Sequence, residues 1–296
     1  MTEAVQKPYQ NRPGAIGISV RRLRFNPKAI RRHYFANSPL LSHFFTALSS
    51  TFPVGEQFFV HSVRNVRAQV QDEQLQAQIA AFIGQEAMHS KAHAEFNAAW
   101  RSEDYNLDRF QAWLARKDRY VKSLPPEIQL AITCAFEHFT ALLGGYILRH
   151  PDALRALDHE AAKLWIWHAI EEMEHRDVAF DVMKQAGNVP ELTRRSALAI
   201  TTALMLGFTL YRTNVMLRHD GFSLRERLQM NLRGLPWFFG KNGVLSRMRR
   251  QYLDWFKPDF HPSQHPLIAQ YEVWVQALQE TGDPIQAGEA FWQAAR

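Results

Sequence analysis

Between Trp165 and Asp181 the chain reads WIWHAIEEMEHRDVAFD. On a helix, His168, Glu172 and His175 fall at i, i+4 and i+7, on one face and about one turn apart. The flanking positions are apolar, so this face turns a carboxylate and two imidazoles toward a dry interior. Buried polar groups are costly without partners, and a metal ion is the partner that suits Glu and neutral His together. A shorter version lies upstream in FIGQEAMHSKAH, where Glu86 and His89 are three apart and His93 follows at i+7. Two single carboxylates complete the set: Glu56 in PVGEQFFVHSVRNVRAQV and Glu137 in PPEIQLAITCAFEHFTALLGGYILRH.

The chain order is therefore Glu, Glu-x-x-His, Glu, Glu-x-x-His, each piece on its own long helix. Di-iron and di-manganese carboxylate bundles carry their ligands in this order. Four carboxylates meeting in an apolar bundle repel one another and are poorly solvated. Two divalent cations bring four positive charges to offset them, and each histidine adds one nitrogen ligand from the same helix face. Taken singly each residue has a plainer reading. Glu56, in a first helical turn, is a macrodipole feature, and the others are polar groups satisfied within their own helices. The order and the apolar context of all four pieces outweigh that reading.

Residues 50–185 resemble the ferritin-like superfamily, which implies an all-α fold: a ferritin-like four-helix bundle with a long crossover and additional C-terminal helices. QEAMHSKAH, FEHFTA and WHAIEEMEHRDVAFDV are similar to a bacterial family of "predicted metal-dependent hydrolases". His168 four residues before Glu172 is similar to the arylamine N-oxygenase branch of di-iron enzymes, where a third histidine joins the six-ligand set. The resemblance implies seven metal ligands: Glu56, Glu86, His89, Glu137, His168, Glu172 and His175. The implied cofactor is two iron ions, with manganese or a mixed Mn/Fe pair as alternatives. His93 is expected behind the ligands, His138 points elsewhere, and Glu171 and Glu174 are expected to be solvated or paired with arginine. Cys134 is expected as a core thiol near the site, and Thr140, Ala141, Gly144 and Gly145 as the wall of a substrate pocket.

The remaining composition narrows the class. A chain of 296 residues, 46% hydrophobic, can bury a sizeable core. The net charge of +6 suits an anionic surface or acidic substrate, but no RNA-binding or zinc-finger motif is present, so nucleic acid is not an expected partner. Cys134 is the one cysteine, which fits a reducing compartment. The N-terminus lacks an apolar signal core, and the longest apolar stretch, 197–210, is too short to span a bilayer. The expected location is cytoplasmic, with peripheral contact at the inner face of a membrane through the basic, aromatic C-terminal part. A homodimer is compatible with this reading.

Three segments are expected: a basic irregular arm over 1–36, with a strand or extended piece at 16–25; the di-metal bundle over 37–188; and a C-terminal helical extension over 189–296. Ser38 with Pro39 predicts a helix start. Helices are expected at 53–70, 73–101, 107–122, from Pro126, and from 152 or 153 to Gly187. Beyond Pro190 they are expected at 191–218, 223–233 and 237–256, with LPWFFGKNG as a break, and a final one at 267–280. The leading function is O2 activation to oxidise an apolar or aromatic small molecule, which needs an electron donor. The alternatives are a hydrolase using a metal-bound hydroxide and a non-enzymatic metal-binding or membrane-associated protein.

Overall fold

The computed structural model describes residues 18–100, 105, 107–150, 152, 155–266, 268 and 271–294. Most of the N-terminal arm (1–17), Arg101 and Ala153 lie outside these. The architecture is all-α: α1 (Pro39–Ser49), α2 (Phe52–Val66), α3 (Glu73–Ala98), α4 (Leu107–Val121), α5 (Pro126–Arg149), α6 (His159–His175) and α7 (Val178–Ala186). These are followed by α8 (Glu191–His219), α9 (Leu224–Phe239), α10 (Val244–Asp254), α11 (Tyr271–Thr281) and α12 (Pro284–Ala294).

Local chemistry sets the helix starts. The Ser38 hydroxyl accepts from the Leu41 N–H with Pro39 at the first position, and Asp72 accepts from Leu75 N–H at the start of α3. Such caps satisfy donors that have no partner within the helix. Ser223 and Glu226 form a reciprocal capping box at α9.

The core places α2 against α3 and α5 against α6, with α2 also on α5 and α3 on α6 and α7. α4 links the two pairs and packs on α2. α5 is buried on nearly every side, as its apolar circumference requires. It is long and apolar enough to cross a membrane by composition, yet most of it is inside the bundle. α8 packs on α1 and α5. The Arg194 guanidinium donates to the Trp255 and Lys257 carbonyls and lies 5.1 Å from the Trp255 ring centroid. Trp292 Nε1 donates to Leu148 O at 3.0 Å. These contacts hold the C-terminal helices on the bundle.

Several boundaries differ from those expected. The helix through the 165–181 stretch is interrupted at Arg176 and Asp177, where the Arg176 guanidinium reaches the His265 carbonyl at 2.6 Å. The break expected over LPWFFGKNG falls only in its second half. α9 runs through Pro236 to Phe239 and ends at Gly240, and α10 starts at Val244. A proline inside a helix removes the donor to the carbonyl four residues back, and α9 ends within a turn of Pro236, at the Gly240 cap. α12 has no counterpart among the expected helices. Residues 18–26 form no strand; this arm is extended and held by side-chain contacts.

Candidate metal centre

α2 contributes Glu56, α3 Glu86 and His89, α5 Glu137, and α6 His168, Glu172 and His175. All seven side chains are buried and the fold brings them together. His175 Nε2 lies 3.0 Å from Glu86 Oε1, 3.3 Å from Glu137 Oε2 and 3.7 Å from Glu172 Oε1. His89 Nδ1 lies 3.8 Å from both Glu86 Oε1 and Glu172 Oε1. Donor atoms of Glu86, His89, Glu172 and His175 form one group within 4.8 Å, and those of Glu56, His93 and His168 form a second. His168 Nε2, 2.8 Å from Glu172 Oε1, joins the two.

Both oxygens of Glu56, Glu86 and Glu137, together with His89 Nδ1 and His175 Nε2, are buried and make no hydrogen bond. Buried polar groups normally find partners, so this concentration of orphaned donor atoms, all carboxylate oxygen or imidazole nitrogen, fits a divalent cation site. The electrostatics agree. Burial, then the Glu86, Glu172 and Glu137 charges, push Glu56 well above the ordinary carboxyl range. Burial and Glu86 do the same to Glu137. Glu172 is held well below that range: burial raises it, but the neighbouring His168 and His175 imidazoles prevail. Burial pushes His89 down. Without cations this pocket cannot keep four carboxylates charged.

The imidazoles are oriented from behind. His89 Nε2 donates to Glu171 Oε2 at 3.0 Å, leaving the Nδ1 lone pair facing the cluster. His175 Nδ1 donates to Gln85 Oε1 at 2.9 Å, leaving Nε2 facing it. The tautomer of His168 follows from a longer relay. Asn97 Nδ2 donates to the Ser49 carbonyl at 3.0 Å, which makes its Oδ1 the acceptor for Ser49 Oγ at 2.9 Å. Ser49 Oγ then accepts from His93 Nδ1 at 2.8 Å, and His93 Nε2 accepts from His168 Nδ1 at 2.6 Å. A neutral His168 therefore aims an unprotonated Nε2 at the Glu172 carboxylate. Two acceptors at that distance need a cation beside them. Outer partners of this kind orient metal ligands.

Of the two alternatives for Glu171 and Glu174, solvated or paired with arginine, the second holds. Glu171 and Glu174 are not solvated; both side chains are fully buried. They are paired with arginine, because Arg21 of the N-terminal arm donates to Glu171 at 3.1 Å and twice to Glu174 at 2.8 Å. Glu174 also accepts from Gln85 Nε2 at 2.6 Å and from the Tyr271 hydroxyl. Gln85 and the orienting roles of Glu171 and Arg21 are not predicted by spacing; the one signal in the sequence is that Gln85 and Glu171 each adjoin a candidate ligand.

The expected pocket wall is corrected. A cavity of about 880 Å³ reaches Glu56, Thr140, His168 and Glu172 and is otherwise mostly apolar, with Phe52, Phe59, Ile132 and Phe136 among its lining. Thr140 belongs to it and donates to Glu172. Ala141, Gly144 and Gly145 do not line it. Ala141 turns to a separate small cavity beside His138 and His265. At Gly144 a Cβ would meet the Ala169 carbonyl oxygen at 3.0 Å, so the missing side chain lets α5 approach α6. Gly145 packs near Arg149 and Met173. Cys134 is a buried thiol whose pKa is driven well up by burial and the Glu137 charge. His138 points away, against Trp255 and Phe260.

Fold and cluster together define an all-α bundle protein with a buried carboxylate–imidazole site suited to divalent metal. A family model described as "Predicted metal-dependent hydrolase" matches residues 19–266. The chain belongs to that family. No curated protein and no solved structure matches it.

Proposed function

We propose that Glu56, Glu86, His89, Glu137, His168, Glu172 and His175 hold two divalent metal ions, and that the protein is a metal-dependent enzyme acting on an apolar small molecule in the adjoining cavity. The observation that carries this reading is the set of orphaned donor atoms of four helices, which the cavity reaches at Glu56. Bound there, the ions supply Lewis acidity for hydrolysis and, if they are iron or manganese, electrons for dioxygen. The chain does the rest. Phe52, Phe59 and Phe136 hold the substrate and exclude water, Thr140 fixes Glu172, and the Asn97–Ser49–His93 relay keeps the proton off His168 Nε2.

Hydrolysis of an ester, amide or phosphoester is the first reading, because the family description supports it. Oxidation by dioxygen is the second. It is favoured by the four-carboxylate, three-imidazole donor set and by a cavity that offers a polar leaving group few partners. Only the oxidative reading requires an electron donor.

Elemental analysis of protein purified without added metal tests the common part: two metals per chain are expected, and fewer in Glu137→Ala. Undiminished binding by that variant refutes the ligand set. Loading with Fe(II) under argon and admitting air separates the reactions. A transient visible band identifies oxidation; turnover of apolar esters with Zn(II) and no such band identifies hydrolysis.

A further inference from the structure

Among the described residues, two helices outside the cluster present apolar faces that nothing in the bundle covers. None of the residues of α9 is buried. Leu224, Leu228, Leu232, Leu235 and Phe239 recur at three- and four-residue steps, forming one stripe, and are between 45% and 64% exposed. The other side of the helix is the anchored one: Phe238 packs on Phe44 with ring centroids 4.8 Å apart, Trp237 on Phe35 and Phe45, and Asn231 donates to Asn214. α8 has no charge between Arg195 and Arg212. Its outward residues there include Ile200, Leu204, Leu210 and Tyr211, all at least 41% exposed.

Charge is concentrated in the same place. Residues 221–253 carry seven Arg and Lys against the single Glu226, a surplus equal to the whole net charge of the chain, +6. Arg225, Arg233, Lys241, Arg247, Arg249 and Arg250 are exposed. The cavity opens beside α8, because Leu192, Ile200 and Leu204 line it while remaining exposed on that helix, with Trp113 and Lys117 of α4 also in its lining.

We propose that the apolar faces of α8 and α9 dock on a bilayer bearing anionic headgroups, and that the substrate is a membrane-partitioned molecule with a long hydrocarbon chain that enters the cavity from the lipid. An amphipathic helix with a leucine face flanked by arginines lies in the interface rather than across it, held by both apolar burial and headgroup attraction. A second copy of this chain is a poorer occupant, since a two-fold interface would set the same basic segment against itself. The cavity, about 880 Å³, is large enough for a long acyl or alkyl chain, with its reacting end between Glu56, His168 and Glu172. The substrate part of this inference rests on the proposed enzymatic reading; the docking part does not.

The test is co-sedimentation of the full-length protein, as purified, with vesicles of phosphatidylcholine alone or mixed with phosphatidylglycerol. Binding is expected only to the mixed vesicles and is expected to weaken steeply in high salt. Leu228→Glu with Leu232→Glu, and separately Arg249→Glu with Arg250→Glu, are each expected to weaken it by about tenfold or more. Both pairs are exposed, and unchanged circular dichroism and metal content will show that the fold is intact. No binding at low salt, or binding by both double variants that matches the wild type, overturns the docking surface. So does a wild-type dimer in sedimentation equilibrium that Leu228→Glu with Leu232→Glu dissociates. Vesicle binding by Glu137→Ala that matches the wild type, alongside lost metal, separates failure of the enzymatic reading from failure of the docking surface.

Discussion

Arg21 is the most informative residue to remove, because it lies far from the ligands in sequence and yet stands behind two of them. Its guanidinium is the cation for Glu171 and Glu174, whose side chains are both fully buried. Glu171 orients His89 at 3.0 Å, and Glu174 holds Gln85, which orients His175 at 2.9 Å. Arg21→Ala leaves two interior carboxylates without a counter-charge. Breaking a buried pair in this way costs about 3–5 kcal/mol. For a chain of this length that is a fall in melting temperature of roughly 5–8 °C. The cost is expected at the lower end because Glu171 can take up a proton: burial already raises its pKa to about 8, against the opposing pull of Arg21. A carboxyl raised in the folded state holds a proton there that the unfolded chain has released. Its contribution to stability therefore falls as pH rises from the ordinary carboxyl range to about 8. Without Arg21 that window extends upward, so the deficit of the variant should grow with pH. The assays are thermal melts of metal-free protein at several pH values and competition for metal against a chelator. Loss of these orienting partners should weaken metal binding about 10- to 100-fold. Arg21→Lys keeps the charge but not the bidentate fork and should fall between. A melting temperature within about 2 °C of wild type, with unchanged chelator competition, refutes the claim that the arm supports the centre.

Removing metal from the wild type should lower its stability, by about 2.7 kcal/mol for each ion relative to a free metal concentration one hundred times the dissociation constant; denaturant titrations with and without chelator measure this. Gly144→Val should cost about 1–3 kcal/mol by forcing α5 away from Ala169, and should leave substrate-chain-length preference unchanged in turnover assays. Ile132→Phe should narrow the cavity and shift turnover toward shorter chains without changing metal content. Asp220 is held down to about 2: burial raises it, and the hydrogen bonds from His43, His33 and Arg32 outweigh that. A carboxylate depressed in the folded state stabilises above its unfolded pKa and loses that contribution as pH falls toward the folded value. Stability of the wild type should therefore drop more steeply than that of Asp220→Asn between about pH 4 and pH 2, as acid melts will show.

Chemistry with a fixed helical period was legible without coordinates. The spacing of Glu86 to His89 and of His168, Glu172 and His175 placed these groups on single faces, because the helix repeat converts sequence distance directly into direction. The apolar circumference of α5 marked it as central for the same reason. Caps at Ser38 were also readable, since their hydrogen bonds span only a few residues. Ala141 and Gly144 show the limit. They share a helix face with Glu137, but which neighbour that face meets depends on how α5 crosses α6, and Gly144 is a contact point instead of a cavity wall. Glu171 and Glu174 show it again, because their counter-ion comes from residue 21, about 150 positions away.

What the sequence determined by itself was the inventory: an all-α chain, four helices bearing carboxylates and imidazoles in a metal-binding order, and a basic C-terminal part rich in leucine and aromatic residues. Only the tertiary structure decided that the donor atoms meet, that the Asn97–Ser49–His93 relay engages His168 Nδ1, and that the cavity opens beside α8. The physical reason is range: helical periodicity and capping act over a few residues, whereas a shared cation site, a buried ion pair and a cavity are made by side chains that the packing of separate helices brings together.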